Sequence, residues 1–143
     1  MIIKIDEAKI KSNDEAMTVD TLILAYLGDA VIELLARDHN FSSGYVSSND
    51  IHKSTVALVS ANAQSVALGK ILPYLSDDEI TVYKRGRNVK SHSAPKHTDP
   101  TVYHRSTGLE ALFGYLYVTG NSKRIGELFN IGFIDKAQNL EEK

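Results

Sequence analysis

Apolar side chains along this chain recur at intervals of three and four residues, the spacing of a single helix face, and seldom alternate as they do in strands. The pattern predicts an all-α domain of about six helices. After a short amphipathic opening (Ile2, Ile3, Ile5, Ile10), Asp20 is placed to cap a helix running to about Arg37, and the polar stretch 39–49 reads as loop. From the Ser48–Asn49 cap region a long helix is expected, with Ile51, Val56, Leu58, Val59, Ala63, Val66 and Ala67 on its apolar side as far as Pro73. Ser76 and Glu79 have the reciprocal spacing of a capping box, opening a helix through Ile80 and Tyr83. Pro100 behind Asp99 suits the start of a further helix, with Ser106–Thr107 an alternative start, ending at Thr119–Gly120, and Ser122 is placed to cap the last one, with Ile125, Leu128 and Phe129 inward and Gly132 near its end.

Two acids interrupt this pattern. Asp29 stands in the apolar run "AYLGDAVIEL", and Glu110 stands in "GLEALFGYLYV" among Leu109, Leu112, Phe113 and Leu116. Each has a glycine nearby, Gly28 and Gly114, and glycine inside a helix costs about 1 kcal/mol against alanine, so something must approach the backbone closely there. Two readings are open. Each acid pairs with a cation such as Arg37 or Arg105, or the two acids meet from packed helices and a proton or a cation offsets their repulsion. In the second case hard oxygen ligands select Mg²⁺, with Mn²⁺ as a substitute, and such a site beside basic residues suits metal-assisted hydrolysis of phosphodiesters.

Composition bounds the remainder. At 143 residues the chain fits one domain, and the absence of cysteine excludes disulfides and thiol chemistry, consistent with a reducing compartment. The start shows no basic stretch followed by an apolar leader, and no apolar stretch is long enough to span a bilayer, so a cytoplasmic location away from the membrane is expected. The net charge is −2, yet Lys84, Arg85, Arg87, Lys90, Lys96 and Arg105 stand against the single acid Asp99 between residues 84 and 105. One basic face on an otherwise acidic protein follows. Because 85–100 also contains Gly, Ser and two prolines, most of it reads as a basic loop.

"LAYLGDAV" (24–31) resembles the ribonuclease III signature around its catalytic aspartate, and "KRGRN" with "KSH" (84–92) and "YHRSTGLEALFGYLY" (103–117) resemble the Mini-ribonuclease III branch of that family. The similarity runs from about residue 20 to 132, and its most specific part is "RSTGLEALFGYLY". It implies an all-helical, homodimeric, magnesium-dependent endonuclease of double-stranded RNA. The Mini branch lacks a separate double-stranded-RNA-binding domain, so residues 1–143 are expected to be one catalytic domain with an N-terminal extension (1–19) and a basic loop (84–99). By resemblance Asp29 is the catalytic aspartate and Glu110 the metal-binding glutamate, both serving catalysis and metal. Other carboxylates of the wider family fall here on Leu22, Ala25 and Thr107, a thinning that the Mini branch shares and that leaves open the number of ions. Glu33 is expected to pair with Arg37 rather than join the metal shell.

Duplex RNA is recognised through phosphates, 2′-hydroxyls and A-form shape. Lys84, Arg85, Arg87, Lys90, Lys96 and Arg105 are the expected RNA contacts, with weaker candidates in His92, His97 and Lys53, while His104 and Arg105 are placed to orient a phosphate or offset the acids. The stretch 50–64 also resembles the Mini branch, through His52–Lys53, Val59-Ser60-Ala61 and Gln64, and is expected to form mainly a core and dimer helix bearing one or two polar contacts, with Tyr26, Tyr115 and Tyr117 as packing residues. The resemblance further implies maturation of the large-subunit (23S) ribosomal RNA precursor, with a ribosomal protein as a possible accessory. The rival expectations are a non-catalytic duplex-RNA-binding module on the same scaffold and a helical protein–protein adaptor.

Overall fold

The computed structural model describes residues 6–90 and 94–134. Among these it contains seven α-helices and no strand: α1 (Asn13–Met17), α2 (Thr21–Ser42), α3 (Ser48–Val59), α4 (Ala61–Ile71), α5 (Asp77–Arg87), α6 (Pro100–Val118) and α7 (Ser122–Phe129). The all-α expectation holds, and the additional helix comes from two local differences. Ser12 and Glu15 form a capping box that starts the short α1, a signal of the same kind as Ser76 and Glu79, which start α5 as expected. The single helix expected from residue 48 to Pro73 is broken at Ser60, whose hydroxyl accepts from the Ala63 amide at 3.1 Å and so begins α4, bent by 53° from α3.

α6 is the central element. Residues Ser106–Leu109, Ala111–Leu116 and Val118 are all buried, because α2, α4 and α5 pack against different sides of it. A helix apolar nearly all round is a core helix, and side chains such as Phe113, Leu109 and Leu112, with no exposed surface, each contribute about 2 kcal/mol by burial. α2 crosses α6 with Leu24, Ala25, Gly28, Val31, Ile32 and Ala36 inward.

The expected start of α2 is correct, since the Asp20 carboxylate accepts from the Leu22 amide at 2.8 Å. Its end is later than expected. The helix continues through His39 and Asn40 to Ser42, and Asn40, 4% exposed, donates to Thr55 Oγ1 at 3.0 Å. That buried link to α3 outweighs the weak helix propensity of the segment. Gly44, at φ +86°, then turns the chain.

α5 carries Lys84, Arg85 and Arg87 in its last turn, where cations offset the negative helix end. The loop expected from residue 85 therefore begins only at Asn88, the helix cap. Glu79 both completes the capping box and receives the fork of Arg124, with Nε to Oε2 and Nη2 to Oε1 each at 2.8 Å, which joins α5 to α7. Burial disfavours its charge, but the Arg124 fork and the Ser76 amide outweigh burial and hold the carboxyl below its ordinary range. Asp99 and Pro100 start α6 as read, whereas α7 is preceded by Asn121 at the cap position, with Ser122 its first residue and no side-chain capping bond. A π-turn over Asn130–Ile134 follows, and Gly132 lies against Ile71 of α4. No single helix among the described residues is long and apolar enough to cross a membrane.

Candidate active site

The two glycines lie where α2 and α6 touch. A Cβ at Gly28 would stand 1.6 Å from the Glu110 carbonyl oxygen, and one at Gly114 would stand 1.9 Å from the Leu24 carbonyl oxygen. Backbone meets backbone at this crossing. Asp29, next to Gly28, and Glu110, four residues before Gly114, are thereby brought within hydrogen-bond reach of each other. A cleft of about 340 Å³ opens there, lined by Leu22, Ala25, Tyr26, Asp29, Thr107 and Glu110.

Among the described residues no cation pairs with either acid. Asp29 is exposed, while Glu110 is partly buried, and its carboxyl is pushed up to about 8, first by burial and then by the Asp29 charge. The Gln64 amide, donating to Glu110 Oε2 at 3.5 Å, works in the opposite direction. Neither arginine considered from sequence pairs with these acids. Arg37 Nε donates to Glu33 Oε2 at 2.8 Å, as the four-residue spacing predicts, and Arg105 donates to Ser65 Oγ at 2.8 Å and to the Ser65 carbonyl at 2.9 Å. Of the two readings left open by sequence, the geometry selects the meeting of acids. Among the described residues no cluster of three or more His, Cys, Asp or Glu side chains is suited to a metal, so this centre offers two carboxylates alone.

The basic residues divide by environment. Lys84, Arg85, Lys90 and Lys96 are exposed, as is His97. Arg85 Nη1 donates to the Met17 carbonyl at 2.9 Å, linking α5 to α1, and Arg87 donates to Asn88 Oδ1 at 3.0 Å with its guanidinium over the Tyr83 ring. Arg105, expected to face phosphate or the acids, is instead engaged between α6 and α4. His104 is partly buried with Nδ1 unpartnered, and Lys53 is exposed on α3. His92 lies outside the described residues.

Two side chains acquire a place that sequence did not assign. Tyr26, expected to pack, is 79% exposed at the rim of the cleft, whereas Tyr115 is buried as expected. Gln64, named in the stretch expected as a core and dimer helix with one or two polar contacts but given no role of its own, touches Glu110. The one sequence signal for Tyr26 was its offset of three from Asp29, which places it on the same side of α2. The resemblance to the Mini branch named Gln64, but nothing local indicated what it touches.

Comparison with known proteins agrees with this architecture. The family profile described as Ribonuclease III domain matches residues 22–121. The chain is 44% identical over 124 residues to a Mini-ribonuclease 3 of Symbiobacterium thermophilum, covering 85% of this chain and 95% of that one. It is 43% identical over 112 residues to a Mini-ribonuclease 3 of Brevibacillus brevis, covering 78% and 84%. A crystal structure of a protein from Fusobacterium nucleatum superposes with a TM-score of 0.72 at 32% identity, covering 80% of this chain and 91% of that one. With the family's fold in place and the acids of its signature brought together at the α2–α6 crossing, the chain belongs to the ribonuclease III family, in its Mini-ribonuclease 3 branch.

Proposed function

We propose that this protein is a divalent-metal-dependent endoribonuclease of double-stranded RNA, acting as a homodimer, with precursor large-subunit ribosomal RNA in the cytoplasm as its substrate. The observation that carries the reading is the meeting of Asp29 and Glu110 with no cationic partner among the described residues. Two adjacent carboxylates, one of them desolvated, are poorly suited to a structural role and well suited to a hard cation. Asp29 and Glu110 would hold Mg²⁺, with Mn²⁺ as a substitute. Such an ion, when bound, supplies an activated water and neutralises charge on the phosphoryl oxygens. Leu22, Ala25 and Tyr26 line the cleft beside the two acids.

Lys84, Arg85, Arg87, Lys90 and Lys96 supply cations for the backbone phosphates. Arg85 bonds the Met17 carbonyl and Sδ through Nη1, which leaves the Nε and Nη2 donors for phosphate. A homodimer is supported by one face of α2. Ile23 (55% exposed), Tyr26 (79%), Leu34 (54%) and Phe41 (75%), together with exposed Ala30, form one helical stripe. Asp29 lies beside this stripe, so a two-fold axis through it would place two clefts near one duplex, one for each strand.

The test is cleavage of a duplex RNA with Mg²⁺ and with EDTA. Wild-type protein should cut only with Mg²⁺, and Asp29→Asn should lower kcat at least about a thousandfold while duplex binding persists. Tight binding by wild type without products in Mg²⁺ or Mn²⁺ would replace the enzyme by a binding module. Absence of both binding and cleavage would leave the adaptor.

A further inference from the structure

Gln64 lies in α4, one turn beyond the Ser60 break, and is 3% exposed. A primary amide buried to this degree ordinarily has both ends satisfied. Here Nε2 is shared between the Val59 carbonyl at 3.1 Å and Glu110 Oε2 at 3.5 Å, and Oε1 has no partner. An apolar side chain of similar volume would fill the space without an orphaned acceptor, which costs about 1–3 kcal/mol. The Val59 carbonyl accounts for an amide donor here but not for its second contact, with Glu110.

The surroundings hold this amide in place. The bend between α3 and α4 turns the Val59 carbonyl toward the Gln64 side chain, and the adjacent residue Ser65 receives two hydrogen bonds from Arg105 of α6. Arg105 thus sets the register of α4 against the same helix that carries Glu110.

We propose that Gln64 is a positioning residue, its amide tying Glu110 Oε2 to α4 so that the carboxylate presents one orientation to a divalent ion in the α2–α6 cleft. This rests on the metal-dependent nuclease reading above. Partners of this kind, one step out from the metal, change metal affinity about 10- to 100-fold when removed.

Gln64→Met keeps the length and approximate volume of the side chain and removes both polar atoms. Gln64→Asn keeps the amide one methylene short of its reach. Mn²⁺ alone, titrated by electron paramagnetic resonance, should bind either variant about 10- to 100-fold more weakly than wild type. kcat on duplex RNA should fall at a metal concentration that saturates wild type and recover in part at higher metal. Duplex binding in Ca²⁺ should stay within about twofold, and the Tm of metal-free Gln64→Met should change little, since the Val59 carbonyl loses its partner as the orphaned Oε1 is removed. Should Gln64→Met not fold, Gln64→Asn carries the measurement. Wild-type Mn²⁺ affinity in a folded variant, with or without a lowered Tm, overturns the assignment of Gln64 alone. Failure of the wild-type protein to bind Mn²⁺ overturns the nuclease reading and this one with it.

Discussion

At Glu110, burial and the neighbouring Asp29 push the carboxyl up to about 8, so in the metal-free protein a proton held there offsets one of two like charges at neutral pH. Its unfolded value lies near 4.3. The folded chain therefore retains a proton that the unfolded chain releases between those limits, and stability falls as pH rises through that window and levels off above about 8. Glu110→Gln removes the charge and keeps the shape. In EDTA it should raise stability by about 1–2 kcal/mol at pH 8.5, a few degrees in Tm, with the gain shrinking toward pH 5 and cleavage abolished. Thermal denaturation at both pH values measures this, and a gain independent of pH would contradict the assigned cause. Asp29 and Glu110 were legible in sequence because a carboxylate inside an apolar run is conspicuous. Gln64 was not, because a glutamine among alanines is ordinary helix composition and its contact with Glu110 spans 46 residues of chain.

The crossing of α2 and α6 is where an element-scale substitution is most informative. At Gly28 a methyl group would meet the Glu110 carbonyl oxygen at 1.6 Å, and no rotamer change relieves a clash with backbone. The helices must separate, and with them the two carboxylates. Gly28→Ala should cost about 3 kcal/mol in urea unfolding and reduce kcat of the remaining folded protein about a hundredfold. Gly126 supplies the contrast, since a Cβ there meets nothing within 4 Å in α7, and Gly126→Ala should stabilise by up to about 1 kcal/mol. Equal effects at the two positions would remove the close-approach argument. The sequence reading anticipated a close neighbour at Gly28 and Gly114 without identifying it. Helix starts marked by Asp20, Ser76 and Asp99 were also readable, because a capping side chain acts within three residues. The extension of α2 to Ser42 was not, because it depends on the Asn40–Thr55 link across 15 residues of chain, and the Ser60 cap, though equally local, was hidden by an apolar periodicity that runs on to Pro73.

For the whole molecule, the exposed stripe of α2 and the charge distribution make separate demands. The basic residues after Tyr83 lie on α5 and the chain that follows it, while the apolar stripe lies on α2. In the proposed function RNA binding and self-association would thus draw on different surfaces. Leu34→Lys places a charge in the stripe without touching the cleft-lining residues. It should raise the dimer dissociation constant about 30-fold or more in sedimentation equilibrium, and cleavage of both strands should give way to nicking or loss of activity at low protein concentration. An unchanged sedimentation profile would move the dimer surface elsewhere.

By itself the sequence determined the helical class, most helix starts, the Glu33–Arg37 pair and the two acids, since each is written in residues one or two turns apart. Tertiary structure alone decided that Asp29 and Glu110 meet, that Arg105 serves α4 rather than the acids, that Tyr26 faces outward and that Gln64 reaches Glu110. Those outcomes depend on which helix faces touch, and the contact between α2 and α6 is permitted by the absence of two methyl groups, at Gly28 and Gly114, whose consequence appears only once the chain has folded.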